Sequence, residues 1–268
     1  MNLRNIIPCV PILPRAFTAI ALLSCAAVLT MPSAVLAGKG KKKATRIIPP
    51  NVEAYGTTYS ELAGAWWNWV LNQPPETNPI IDETGSFAHV GQDEDFGQGK
   101  KIFFLAGNFG GAEQTVRHCT IPRAKALFFP LLNQLFVTPE EGTLAEVRAL
   151  ANAGVNPTSF LECIIDGVSV GDLFAYRAQS PPGGSLFEVR PGSFAATLLP
   201  GRGPAPAVAD GYWLLVKLGD GNEHVIEFRG KTGNPLNPDF QLSVKYFLTV
   251  VGGEDGDDDD GDGKHGRR

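Results

Sequence analysis

Acidic side chains and one histidine crowd a turn-rich segment, and their types and spacing suit chemistry on a polymer. The loop over residues 82–95 carries Asp82, Glu83, His89, Asp93, Glu94 and Asp95. Two carboxyl groups held roughly 5–10 Å apart can hydrolyse a glycosidic bond. Asp82, His89 and Asp93 are therefore the candidate catalytic or ligand-binding residues of this loop. Acidic residues between turns are more often simply solvated, so hydrolysis is the alternative interpretation and not the leading one.

Three tryptophans offer a second kind of chemistry, the stacking of sugar rings. Trp66, Trp67 and Trp69 follow a helix start, and at helical spacing Trp66 and Trp69 share one face while Trp67 points elsewhere. The three rings cannot form one flat platform. We therefore expect Trp66 and Trp69 to pack in the core, and we keep Trp67 as a candidate ligand contact.

Other catalytic or metal-binding patterns are missing from the sequence. It has no Gly-x-Ser-x-Gly elbow and no His-Glu-x-x-His pair. His224 lies at the start of a predicted strand and has apolar neighbours. We therefore expect it to have a structural role and to be held by a hydrogen bond. The sequence predicts no metal site and no cofactor.

Two cysteines remain once the first 37 residues are set aside, and they are Cys119 and Cys163. An even pair in a protein bound for an oxidising compartment predicts one disulfide. Two buried free thiols are the alternative, and only geometry decides between them.

The first 37 residues predict export. Arg4 and Arg15 precede an apolar run, and small residues up to Ala37 suit a signal peptidase, so residues 1–37 are expected to be a signal peptide. Lipoprotein anchoring at Cys25 is the less favoured alternative, because the apolar run continues beyond it. The expected location is secreted or periplasmic, with no transmembrane segment after cleavage.

Charge is distributed unevenly along the rest of the chain. Residues 38–50 are expected to form a flexible basic arm, and residues 253–268 a disordered acidic tail. A self-repelling, solvated tail is favoured over weak binding of divalent cations. Residues 47–252 hold 21 acids and 13 basic residues, a net charge of −8. No basic face suits nucleic acid, which is excluded as a partner.

Two helices are expected to position these side chains. Thr58 and Glu61 have capping-box spacing, and a helix of about 14 residues should follow and end before Pro74. A second helix is expected to begin at Thr138–Pro139 and to stop near Gly154.

Strand patterns dominate elsewhere. Residues 101–105 and 126–132 predict buried strands, Asp166–Gly167 predicts a hairpin turn, and residues 240–250 alternate between apolar and polar side chains. Shorter strands are expected at 186–189 and 193–198. The sequence thus predicts a mainly β fold, a two-layer β-sandwich (jelly-roll-like) with two peripheral α-helices, and a single domain over 51–252.

The order of several motifs resembles an uncharacterised family of secreted bacterial proteins. The likeness rests on a WWxW helix at 66–69, a KALFFP segment at 125–130, a DGYW segment at 210–213 and a β-rich C-terminal half. It covers most of the chain after the leader. The resemblance implies export and a β-rich fold, and it transfers no catalytic residue.

These observations favour a non-enzymatic function. We expect a secreted binding or surface-interaction protein whose partner is an extracellular polysaccharide or another envelope component. The alternative is an extracellular polymer hydrolase that uses carboxylates and His89 in the 82–95 loop. A structural component of the cell envelope is a third class.

Overall fold

A computed structural model describes residues 43–92, 101–111, 113–233 and 240–252. The predicted signal peptide with Cys25, the first part of the basic arm, Asp93 and the acidic tail lie outside these residues. The described chain contains eleven β-strands and three α-helices. No helix within it is long and apolar enough to cross a membrane.

The elements are, in chain order, β1 (Arg46–Ile48), α1 (Tyr59–Leu71), β2 (Ile102–Phe104), β3 (Thr115–Pro122), β4 (Ala126–Val137), α2 (Leu144–Val155), β5 (Thr158–Ile165), β6 (Val168–Ser169), β7 (Arg177–Gln179), β8 (Ser185–Phe187), α3 (Phe194–Leu198), β9 (Ala205–Lys217), β10 (Glu223–Thr232) and β11 (Gln241–Val251).

The first sheet has the order β1-β9-β4-β2, and β7 and β8 also pair with β9. β4 and β9 run antiparallel over nearly their whole length, and residues on both of their faces are buried. A strand buried on both faces has a continuous apolar sequence instead of an alternating one. The predicted buried strand at 126–132 is therefore confirmed, and its proline, Pro130, lies where the register shifts.

The second sheet has the order β3-β11-β10-β5-β6. Leu242, Val244 and Tyr246 of β11 are buried, while the residues between them are half-buried, which confirms the predicted alternation. β2–β4 and β3–β11 are parallel pairs. Both sheets are therefore mixed, whereas the strands of a jelly roll are all antiparallel.

The two sheets pack face to face, so the predicted mainly β, sandwich-like architecture with few helices is confirmed. The core between them includes Phe129 of the first sheet and Phe228 of the second, whose ring centroids are 5.0 Å apart. A second core lies on the other face of the first sheet, where Trp66 of α1 meets Trp213 of β9 at 5.7 Å. The layers are thus helix, first sheet and second sheet.

The predicted first helix is confirmed as α1. The Thr58 side chain accepts a hydrogen bond from the Glu61 backbone N–H, and the Glu61 carboxylate accepts one from the Thr58 N–H, so both ends of the capping box are made.

The predicted boundaries of two later elements were wrong. α2 begins at Leu144 and not at Thr138–Pro139, because Thr143 and Glu146 form a second capping box five residues further on. Residues 193–198 were predicted to be a strand and instead form α3. Ser193 caps this short helix by accepting a hydrogen bond from the Ala196 N–H.

The prediction that residues 38–50 form a flexible arm was wrong for the described residues from Lys43 onward. Arg46–Ile48 pair antiparallel with Leu215–Lys217 at the edge of the first sheet. Before this strand, the Lys43 N–H donates to the Asp220 carboxylate at 2.7 Å. Residues 43–48 are therefore attached to the sandwich by backbone hydrogen bonds, which a basic composition does not prevent.

Candidate functional site

The outer side of the second sheet carries exposed and half-buried side chains along all four of its long strands. We call it the open face. It consists of the even-numbered residues of β3 and β5 and the odd-numbered residues of β10 and β11, which point away from the inter-sheet core. Val116 and Val251 are 40% and 46% exposed, and Phe160 is 45% exposed. The first sheet has no comparable face in its central strands, which are buried on both sides.

The middle of the open face carries charges that neutralise one another. Glu227 forms ion pairs with Lys245, at 3.4 Å, and with Arg229, which also lies 3.5 Å from Glu162. A hydrogen bond from the Gln114 amide, followed by the two cations, lowers the pKa of the Glu227 carboxyl. These pairs follow directly from the register, because Glu227 lies opposite Lys245 and Arg229 lies opposite Glu162.

Beside these charges runs a band without charged side chains, which we call the uncharged lane. It comprises Val116, His118 and Thr120 of β3 and Phe247, Thr249 and Val251 of β11. The two strands are parallel and in register, so His118 stacks on Phe247 with ring centroids 4.8 Å apart and planes at 12°.

The orientation of these two rings decides what they present to solvent. Because the His118 and Phe247 rings stack across adjacent strands, their planes stand upright on the sheet and their edges point outward. The Lys245 ammonium also lies 5.3 Å from the Phe247 centroid. Within the described structure the His118 imidazole makes no hydrogen bond, so its ring nitrogens can serve a ligand.

Asp82, a predicted site residue, organises its own loop. One carboxylate oxygen accepts from the backbone N–H and the hydroxyl of Thr84, both at 2.8 Å, and the other accepts from the Phe87 N–H at 2.8 Å. Burial acts to raise the pKa of Asp82, but these hydrogen bonds together outweigh it and lower that pKa. A glycosidase acid needs a raised pKa, so Asp82 does not fit that role.

The other predicted residues of the loop are placed less tightly. His89 is exposed in the turn that precedes Val90, and Asp93 lies outside the described residues. Glu83, the described acid next to Asp82, is also exposed.

The loop is attached to the edge of β3, which brings it beside the open face. The His118 N–H donates to the Thr84 carbonyl at 2.8 Å. Gly85 packs so closely that a β-carbon there would lie 2.5 Å from the His118 carbonyl oxygen, and its φ of +90° also requires glycine. The hydroxyls of Thr84 and Ser86, 2.8 Å apart, consequently border the uncharged lane near His118.

Arg117 secures the same loop from inside. Its side chain is buried, and its guanidinium donates to the backbone carbonyls of Ile80, Asp82, Ala106 and Gly107 and to the Tyr246 hydroxyl. One buried cation thus joins the loop, the segment after β2 and the second sheet.

Trp67 lies far from this surface. It belongs to α1, which packs against the first sheet, so both sheets separate it from the open face. Its ring is half-buried and meets Trp66 edge-on at 5.0 Å, and its indole N–H finds no partner in the described part of the chain. Trp66 and Trp69 are 1% and 0% exposed, which confirms their predicted place in the core.

The predicted disulfide was wrong, since Cys119 and Cys163 are both free. Cys119 is on β3 and Cys163 on β5, and β11 and β10 lie between them. Three strand spacings of ~4.8 Å separate the strands by about 14 Å, whereas a disulfide needs α-carbons about 5.5 Å apart. Burial raises the pKa of each thiol to about 12.

His224 has the structural role expected of it. Its Nδ1 lies 2.6 Å from a carboxylate oxygen of Asp166, whose other oxygen accepts from the Val225 N–H at 2.8 Å. Asp166 and Gly167 both have positive φ and form the predicted hairpin turn. The pair ties this turn to β10. The Nε2 atom is buried and meets no partner among the residues that the structure describes.

Sequence reasoning overlooked the open face. Its signal was present in the alternation of residues 240–250, but that pattern does not say whether the polar side of a strand is covered by another element.

Within the described ranges, no group of three or more histidine, cysteine or acidic side chains could hold a metal ion. Comparisons with protein-family models, with curated proteins and with solved structures found no match for the chain.

Proposed function

We propose that this chain is an exported, non-enzymatic binding protein that contacts an extracellular or envelope polymer through the open face. The observation that carries the proposal is that Val116, Phe247 and Val251, on the adjacent strands β3 and β11, are exposed or half-buried on the outer side of a five-stranded sheet. Contiguous exposed apolar residues bordered by polar ones are typical of interaction surfaces. The leader sequence, which predicts export, supports an extracellular partner.

The contacts of the candidate catalytic residues also support a binding role. Asp82 uses both carboxylate oxygens to hold its loop, and His224 is held by Asp166 in a turn. Each side chain has a structural task that explains its residue type. The hydrolase alternative rests on His89 and the carboxylates of the 82–95 loop, of which Asp93, Glu94 and Asp95 lie outside the described part of the chain.

Binding to three classes of polymer tests this proposal. The purified protein is titrated with hydroxyethyl cellulose, with alginate and with vesicles of phosphatidylglycerol, which represent neutral glycan, anionic glycan and anionic membrane. We expect binding to at least one of them. Val225→Glu places a charge beside Phe247 in the middle of the face and should weaken that binding at least tenfold.

The matched control is Leu186→Glu, which places the same charge on a residue that is 60% exposed in the first sheet. It should leave binding unchanged. No binding to any of the three polymers, or equal loss in the two variants, overturns the proposal. Release of reducing ends from either glycan that is lost in Asp82→Asn would instead favour the hydrolase.

A further inference from the structure

Building on the proposed function, we propose that the ligand of the open face is an uncharged, extended polysaccharide that lies along the uncharged lane. The lane is straight because β3 and β11 are parallel neighbours in register from Val116 to Pro122. Six residue steps at a strand rise of ~3.3 Å make it about 20 Å long. A surface of this shape suits a linear chain of repeating units better than a compact small molecule.

The charge distribution favours an uncharged ligand. The charges of Lys245, Glu227, Arg229 and Glu162 are already paired across the strands. Lys231 of the open face has no ion pair among the described residues, but it lies opposite Gln241 and Phe160, away from the lane, so the lane itself offers no cation for an anionic polymer. The surrounding chain is acidic, with 21 acids and 13 basic residues over 47–252. Its field repels anionic glycans and anionic lipid surfaces.

The polar groups of the lane suit the hydroxyls of a sugar. His118 presents ring nitrogens with no hydrogen bond in the described structure, and the Thr120 hydroxyl lies two residues further along β3. The Thr249 hydroxyl donates to the Glu223 carboxylate at 3.3 Å, so its oxygen can accept from a ligand. Ser86 adds a hydroxyl oxygen that can accept at the border, whereas the Thr84 hydroxyl is used by Asp82 and Ser86. The lane thus offers donors and acceptors at His118 and Thr120 and acceptors at Thr249 and Ser86, which suits neutral carbohydrate hydroxyls, since these both donate and accept.

The apolar groups of the lane suit the C–H surfaces of the same sugar chain. Val116 is 40% exposed, and the edge of the Phe247 ring points outward. One face of Phe247 is occupied by His118, so the ring contributes an edge and not a stacking platform. A ligand therefore gains many small contacts along the lane, which makes its binding depend on polymer length.

Native gel electrophoresis through polysaccharide tests this inference. The protein is run in gels that contain hydroxyethyl cellulose, dextran or alginate. We expect retardation in at least one neutral gel, unchanged between low salt and about 0.5 M salt because no charge pairing is involved. His118→Ala and Phe247→Ala should each weaken retardation at least fivefold, while their thermal unfolding midpoints stay near that of the parent protein.

Phe174→Ala is the matched control, because Phe174 is 51% exposed outside the open face and its loss should not alter retardation. Retardation by alginate alone, with loss in the two lane variants, would overturn the neutral ligand and leave the proposed binding function intact. Retardation in a neutral gel that His118→Ala and Phe247→Ala leave unchanged would overturn the assignment of the binding site to the uncharged lane. Failure in every gel, together with failure to bind vesicles, would overturn both proposals.

Discussion

Replacing Arg117 by methionine removes a buried cation that joins the 80–87 loop to the second sheet. The Arg117 side chain is 1% exposed, and its Nε donates to the Asp82 carbonyl at 2.6 Å. Its Nη1 donates to Gly107 at 2.8 Å and to the Tyr246 hydroxyl at 2.9 Å. Methionine has a similar length and no donor, so the substitution separates the hydrogen bonds from the packing.

The expected loss of unfolding free energy follows from the buried hydrogen-bond acceptors that methionine leaves without a donor. The Tyr246 hydroxyl still donates to the Ala106 carbonyl, but the carbonyls of Ile80, Asp82 and Gly107 lose the guanidinium donor. Each buried carbonyl that loses its partner costs about 1–3 kcal/mol. Relief from burying a charge offsets part of this cost. We expect a net loss of about 3 kcal/mol of unfolding free energy, which lowers the unfolding midpoint by roughly 6–12 °C in a domain of this size.

Urea unfolding of Arg117→Met, compared with Arg229→Met, measures this difference. The Arg229 side chain is 45% exposed and forms surface ion pairs, so its loss should cost less than about 1 kcal/mol. Limited proteolysis should also cut the Arg117 variant within residues 80–87 before it unfolds globally. A loss below 1 kcal/mol, or a gain, would refute the reasoning, since desolvation of the charge would then outweigh the carbonyl contacts.

Three further predictions concern packing, pH and thiols. Gly64→Ala places a β-carbon 2.0 Å from the Ser185 hydroxyl oxygen and should lower the unfolding free energy, measured in urea, by about 1–3 kcal/mol. Gly183→Ala is the control and should leave the unfolding free energy unchanged, because no atom lies within 4 Å of the added β-carbon. Equal losses in the two variants would contradict this prediction. The folded pKa of Asp82 is below its ordinary value of 3.8, so its stabilisation is complete above that value and is lost as pH falls through the folded pKa. Asp82→Asn should therefore have a lower unfolding free energy than the parent protein at pH 6, and the difference between the two should be smaller at pH 3. A difference that is the same at both pH values in urea unfolding would exclude this linkage. The two described thiols should resist iodoacetamide at pH 8 until the protein unfolds, because burial raises the pKa of each to about 12, and a midpoint lowered by reductant would instead reveal a disulfide.

Local signals in the sequence predicted the elements whose cause is local. The Thr58–Glu61 spacing located the start of α1, because a capping box involves only residues three apart. The alternation in β11 predicted its two faces, since side chains alternate along any strand. The helix start predicted at Thr138–Pro139 was wrong because the sequence contains a second local start signal, Thr143–Glu146, and α2 begins there.

The candidate site was harder to predict because its parts come from distant positions. His118 and Phe247 are 129 residues apart in the chain and meet only because β3 lies parallel to β11. The loop of Asp82 was recognised from its acids, yet those acids do not reveal that the Thr84 carbonyl attaches the loop beside His118. Trp67 was selected for its ring, and only the packing of α1 shows that both sheets separate it from the open face.

By itself, the sequence determined α1, β4 and β11 and which side of β11 is apolar, because periodicity and caps act over a few residues. It also predicted a buried strand at 126–132, since a short, continuous apolar run is typical of a strand covered on both faces. The tertiary structure alone decided which strands are neighbours. That order places two strands between Cys119 and Cys163 and leaves one sheet face open, because strand pairing depends on long-range register and on the competition of whole surfaces for burial.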